Sequence, residues 1–386
     1  MKKSLLLMIS LIAIASCGGG GGGGSTSAST PVGTASAPIS GGTGGGGSGN
    51  GAGDSTNIMP SNSIPSLSTP SLAPRLIPTD STQLQIQADT PDYRVTGETT
   101  YSGMSQPIHR TYYEVNRNEI GFHLGSSGEL TILFGTTVDV KSGGVGVSLL
   151  QSNISGDFLN NIRNTMGTRI VNSERLTFNM EPGSTLLLFT SGSIDLSEIA
   201  ENYGKDIVAE IPESSRPTVN GTGYKMFKFN GTKILIDRNV NLDDPNDIYN
   251  KVLSENENLS FDLVSDGLTM SGTKNNQIGL QSKEAFENLG KINLSGNNSV
   301  GVYVKDAIFT NYPIGKISVG KNSTGIYINS QIDRHLYGRV ENKGTITLGE
   351  GSTGIYLNGR FKDTFIRTYS GGIIESNSNN VIGMAA

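Results

Sequence analysis

The chain has 386 residues, with 29 lysines and arginines against 34 aspartates and glutamates and a net charge of −5, so it lacks the basic footprint that nucleic acid requires. Aromatic residues make up 6%, tryptophan is absent and glycine occurs 52 times. That composition argues against a compact globular enzyme and for a turn-rich all-β protein.

The first residues form an address. Lys2 and Lys3 precede an apolar run from Leu5 to Ala15 that is too short to span a bilayer, so residues 1–16 read as a secretory signal. The run ends at Ile14-Ala15-Ser16-Cys17, and Cys17 is the only cysteine, which excludes an intrachain disulfide. Ile14–Cys17 resembles the lipobox of bacterial lipoproteins. The resemblance implies that Cys17 carries a lipid as the mature N-terminus and, with Gly18 following it, that the chain sorts to the outer membrane. Residues 17–88 open with Gly18–Gly24 and continue through Ser/Thr/Ala/Gly tracts to Pro60, Pro65, Pro70, Pro74 and Pro78. Such a segment cannot offset its ordering entropy and is expected to be a disordered tether that holds the rest clear of the membrane. Gly46–Gly51 resembles the start of a calcium-binding glycine-rich repeat, but Gly51 stands where an aspartate ligand is needed, so no metal site is expected there.

Residues 89–241 contain many short alternating pieces, among them Leu130–Leu133, Val138–Val140, Val145–Val147, Leu176–Phe178, Leu186–Phe189 and Lys233–Ile236. Helical breaks are expected near Asp157–Asn164, Ile194–Asn202 and Asp244–Ser254, the last within a connector at 242–260. Gly135–Leu150 echoes the pattern that dominates the C-terminal part and reads as a worn copy of it. The middle is thus the irregular start of one repeat architecture, with a separate β-sandwich as the alternative.

Over 261–386 one pattern recurs five times, closing on Gly279, Gly301, Gly325, Gly354 and Gly383. A motif at that spacing with variable inserts predicts a solenoid, one structural rung per copy. The pairs Ile292/Leu294, Ile317/Val319 and Ile346/Leu348, and after the turn Val302/Val304, Ile326/Ile328 and Ile355/Leu357, spell two half-buried strands per copy. Three residues before each closing glycine stand Asn276, Asn298, Asn322, Gly351 and Asn380, residues that tolerate positive φ, so a left-handed corner is expected there. Stacked copies would let these asparagines bond to one another as a ladder.

With LTFNMEPGSTLLLFTSGSIDLS at 176–197, LIDRNVNLDD and DIYNKV within 235–252 and the GKISVGKNSTGIYI unit in view, roughly residues 95–386 resemble the passenger region of autotransporters. The resemblance implies a right-handed parallel β-helix displayed at the cell surface, adhering to host cells, matrix or glycan surfaces, with no cofactor. Autotransporters end in a membrane barrel and no barrel pattern follows Gly383, so the chain is expected to be either the N-terminal part of a longer protein, its last strand edge uncovered, or a lipoprotein that reaches the surface without a barrel of its own.

His109, His123 and His335 lie outside any subtilisin-like context, and no serine sits in a nucleophile elbow. Gly349–Gly354 matches G-x-G-x-x-G but precedes a strand rather than a helix, so it reads as a corner. Tyr303, Tyr327 and Tyr356 share one register and alternate outward. They read either as a surface strip for sugar faces or as a ladder of rings packed on each other. A polysaccharide-cleaving β-helix would need paired carboxylates, and Asp333 and Asp363, with Arg334 and Arg360 nearby, are the pair to consider. The inserts 329–341 and 358–371 are the expected contact surface. The reading is a non-catalytic, lipid-anchored surface protein.

Overall fold

The computed structural model describes residues 92–150, 158–256, 259–282, 285–330, 339–359 and 365–385, all within the compact unit Ile64–Ala386. The segments expected to be a signal and a tether, with Cys17, lie outside the described residues. The fold is mostly β, and every strand pairing among the described residues is parallel. A β-sandwich, built on antiparallel pairs, is thereby excluded for the middle region.

After two short strands, Arg94–Val95 and Thr99–Thr100, strands come in sets of three, and most pair with the strand three places later. The first set is Ser105–Ile108, Tyr112–Val115 and Glu119–Leu124. The second is Glu129–Ile132, Thr136–Val140 and Val145–Leu149, so Gly135–Leu150 is a full member rather than a worn one. The same order continues to the last set, Phe365–Thr368, Ile373–Ser376 and Ile382–Ala385, beyond which no described strand pairs.

Three helices interrupt the order. α1 (Phe158–Asn164) and α2 (Leu196–Asn202) fall where helical breaks were expected, and α3 (Ile248–Glu255) opens on Asp247, whose carboxylate accepts the Tyr249 N–H at 3.0 Å. After Val240–Asn241 the chain enters α3 where the other sets have a third strand. The sheet ending at Lys225–Phe229 and the one beginning at Ile278–Ser282 are therefore separate, while a seven-stranded sheet runs from Ser193–Asp195 to Phe365–Thr368 and bridges the two halves.

One core runs from Ile108 to Ile355, filled by the inward residue of each alternation. Burying each Leu, Ile or Phe there contributes about 1.5–3 kcal/mol. The corners turn as the sequence predicts: Asn276, Asn298, Asn322 and Asn380 have φ of 54–62° and Gly351 has 71°. Asn118, Gly143, Gly183 and Gly223 hold the same place in the N-terminal sets, also with positive φ. The corners are joined by backbone, not by the expected asparagine side chains: the Asn298 N–H donates to the Lys321 carbonyl and the Asn322 N–H to the Glu350 carbonyl.

The side-chain ladders lie at other registers. Asn288 Nδ2 donates to Asn311 Oδ1 and Asn311 Nδ2 to Asn342 Oδ1, both at 2.8 Å and with all three residues fully buried. Backbone N–H groups of Gln277, Ser299 and Ser323 donate in turn to the hydroxyls of Ser299, Ser323 and Ser352.

The closing glycines have a steric reason. A Cβ on Gly325 would meet the Gly354 carbonyl oxygen and Ile346 Cγ2, each at 2.6 Å, so the next copy packs directly on the backbone.

Candidate functional site

The tyrosine column resolves in favour of the ladder. At Gly301 the alternation breaks: Gly301 and Val302 both face the core, which leaves Val300 and Tyr303 together on the outer side. Tyr303 and Tyr327 stack at 5.5 Å and 11°, Tyr327 and Tyr356 at 5.4 Å and 25°. Asn329 Nδ2 donates to the Tyr303 hydroxyl at 2.9 Å and Asn358 Nδ2 to the Tyr327 hydroxyl at 3.2 Å. Tyr303 and Tyr327 are each only 3% exposed, and Tyr356 is half-buried. As a correction to the surface-strip reading, the rings spend their faces on each other, so Tyr303 and Tyr327 offer no contact surface.

The other sequence candidates divide in two. Cys17, Asp333, Arg334, His335, Arg360 and Asp363 lie outside the described residues, as do residues 331–338 of the first insert and 360–364 of the second. Gly349–Gly354 is a corner leading into the strand Thr353–Gly359, as its context predicts. His109 is exposed, whereas His123 is half-buried with Nδ1 2.6 Å from the Ser148 hydroxyl; burial and then the Arg169 guanidinium hold its pKa below the ordinary histidine value. Ser148 is fully buried, so this pair is closed to a substrate. Among the described residues no cluster of His, Cys, Asp and Glu could hold a metal, and no helix is long and apolar enough to cross a membrane.

The regular architecture is broken at one place that does offer a concave surface. α2 buries Leu196, Ile199 and Asn202, and the chain leaves it extended at Tyr203, turns at Gly204 with φ of 82°, and reaches Asp206. Asp206 caps a 3-10 turn by accepting the Ala209 N–H at 3.3 Å. Facing this corner is Lys225–Phe229, the last strand of its sheet. Lys225, Met226, Phe227 and Lys228 are half-buried there, whereas the strand Thr185–Phe189 beside it is buried throughout. With α3 in place of a further strand, Glu255 at the helix end closes the third side.

The result is a cleft of about 410 Å³ walled by Tyr203, Lys205, Asp206, Tyr224, Phe227 and Glu255. A second cavity of about 300 Å³ adjoins it, walled in part by Glu213, Arg216 and Val219, and the two share Asp206 and Tyr224. Tyr203 and Phe227 meet edge to face at 6.1 Å, and Lys225 pairs with Glu255 at 3.7 Å. The Tyr203 hydroxyl is buried with no well-formed hydrogen bond; burial, and then a loose hydrogen bond to the neighbouring Glu255 carboxylate and its charge, push its pKa up. Burial and then Asp206 do the same for Tyr224. Arg216 is pinned by donating to the Ile211 and Ala209 carbonyls.

Sequence reading missed this cleft. Its walls come from residues 203–206, 224–227 and 255, which share no motif; the one legible part is the helical break that delivers Tyr203. No protein-family model, no curated protein and no solved structure matches this chain.

Proposed function

We propose that the chain is a non-catalytic, lipid-tethered protein of the cell surface: a right-handed parallel β-helix carried at the outer membrane through a lipid on Cys17, resembling an autotransporter passenger with an adhesin-like role. The observation that supports it best is the order of pairing, in which most strands of a set lie parallel to their counterparts in the next set, across six parallel sheets. Winding of that kind makes a long, regular body whose function sits where the repeat is interrupted. The lipobox-like Ile14–Cys17 and the glycine-rich tether supply the anchor and the reach.

Intact cells producing the chain test this. Added protease is expected to degrade it without lysis, radiolabelled palmitate to be incorporated, and Cys17→Ala to abolish the label and release the protein from the membrane fraction. Full protection in intact cells, with degradation only after lysis, would overturn the surface assignment.

A further inference from the structure

We propose that the paired cleft around Tyr203 and Tyr224 binds a neutral oligosaccharide. This deepens the reading of a contact-making scaffold and rests on it only for the setting in which the sugar is met.

Shape comes first. Cavities of about 410 and 300 Å³ divided by one shared wall, Asp206 and Tyr224, suit linked units lying side by side better than one compact ligand. Chemistry comes next. Tyr203, Tyr224 and Phe227 present apolar ring surface, which suits the C–H face of a pyranose. The ionic groups balance: Lys205, Lys225 and Arg216 stand against Asp206, Glu213 and Glu255. A balanced rim has no net attraction for an anion or a cation, yet it offers donors and acceptors to a ligand covered in hydroxyls.

Two further observations narrow the ligand. The Tyr203 hydroxyl is buried beside the Glu255 carboxylate without a well-formed hydrogen bond to it, a place that a ligand hydroxyl would fill. The Lys225–Phe229 strand would otherwise invite a peptide to add as a further strand, but Asn256 Oδ1 accepts the Phe229 N–H at 2.7 Å and occupies that edge.

Calorimetric titration of the full chain in a zwitterionic detergent tests the proposal, with maltohexaose and tetra-N-acetylchitotetraose as neutral probes, trigalacturonate as the anionic one and glucose as the single unit. At least one neutral oligomer is expected to bind, at least tenfold more tightly than glucose or trigalacturonate. Tyr203→Ala and Tyr224→Ser should each weaken it tenfold or more with an unchanged circular dichroism spectrum, and Tyr356→Phe should leave it as it is. Should either variant unfold, Glu255→Gln, which keeps the shape, is expected to weaken binding severalfold. The proposal is overturned if neither neutral oligomer binds at millimolar concentration, if the cleft variants bind as the parent does, or if trigalacturonate binds best. Protease treatment of intact cells reads the surface assignment separately, so a surface-exposed chain that binds no sugar sinks this inference alone.

Discussion

Residues 92–241 and 259–385 share the trio of parallel strands but hold it together by different means. In the C-terminal part, like side chains fall at like registers, so Asn288, Asn311 and Asn342, the serines 299, 323 and 352, and Tyr303, Tyr327 and Tyr356 each satisfy their own kind. The register of the tyrosines is held in the N-terminal part by His123, Ser148, Leu188 and Lys228, which cannot form a column. Cohesion there comes instead from an aromatic cluster in which Phe158 of α1 lies 5.4 Å from Phe189 and 5.3 Å from Phe227. Repetition thus gives the C-terminal part networks that depend on every member, while variety frees the N-terminal part to carry inserts and the cleft.

The contrast can be broken most forcibly at the asparagines. Asn311→Leu strands a donor on Asn288 and an acceptor on Asn342, and is expected to cost about 3 kcal/mol in urea unfolding. Ser148→Ala, its N-terminal counterpart, strands only the His123 Nδ1 and should cost about 1 kcal/mol. Equal losses would mean that the ladder is not cooperative.

Next come the closing glycines. Gly325→Ala forces a methyl to within 2.6 Å of backbone and should lower stability by about 2 kcal/mol in thermal unfolding. Gly146→Ala meets its nearest atoms at 3.1 Å and should lose about half as much, because the next residue at that register is already Leu186. Tyr327→Leu, which removes the middle ring of the column, is expected to cost about 1 kcal/mol.

The smallest effect is the pH dependence that His123 contributes to the N-terminal part. His123 has a folded pKa below its unfolded one, so the native state resists protonation. Its contribution is complete above the unfolded value of about 6.5 and is lost as pH falls through that value towards the folded pKa. His123→Leu, copying Leu188, should flatten stability between neutral pH and pH 5; an unchanged slope would assign the effect elsewhere.

What was legible in the sequence is what repeats in it. The positive-φ corners at Asn276, Asn298, Asn322, Gly351 and Asn380 fall at one distance from the closing glycines, and the backbone must turn left-handed where only Asn and Gly recur. The three helical breaks were legible from caps and periodicity. The burial of Tyr303 was not, since simple alternation places it outward and the break at Gly301 that pairs it with Val300 is a three-dimensional fact. The asparagine ladder left a signal that went unread: Asn288, Asn311 and Asn342 each stand shortly before a glycine that opens the next strand. The cleft left none, because its residues meet only after two inserts have folded.

Continuity of the parallel repeat is the central claim, and the single cysteine makes it measurable. In a Cys17→Ala background, spin labels at Asn241→Cys and Glu375→Cys sit at the two ends of one register that passes through Ser271, Asn293, Ser318 and Thr347. Five strand spacings predict a narrow distribution with a backbone separation of about 24 Å by double electron–electron resonance. A broad distribution, or a narrow one centred beyond about 35 Å, would contradict the account, because five consecutive parallel pairings cannot span that distance.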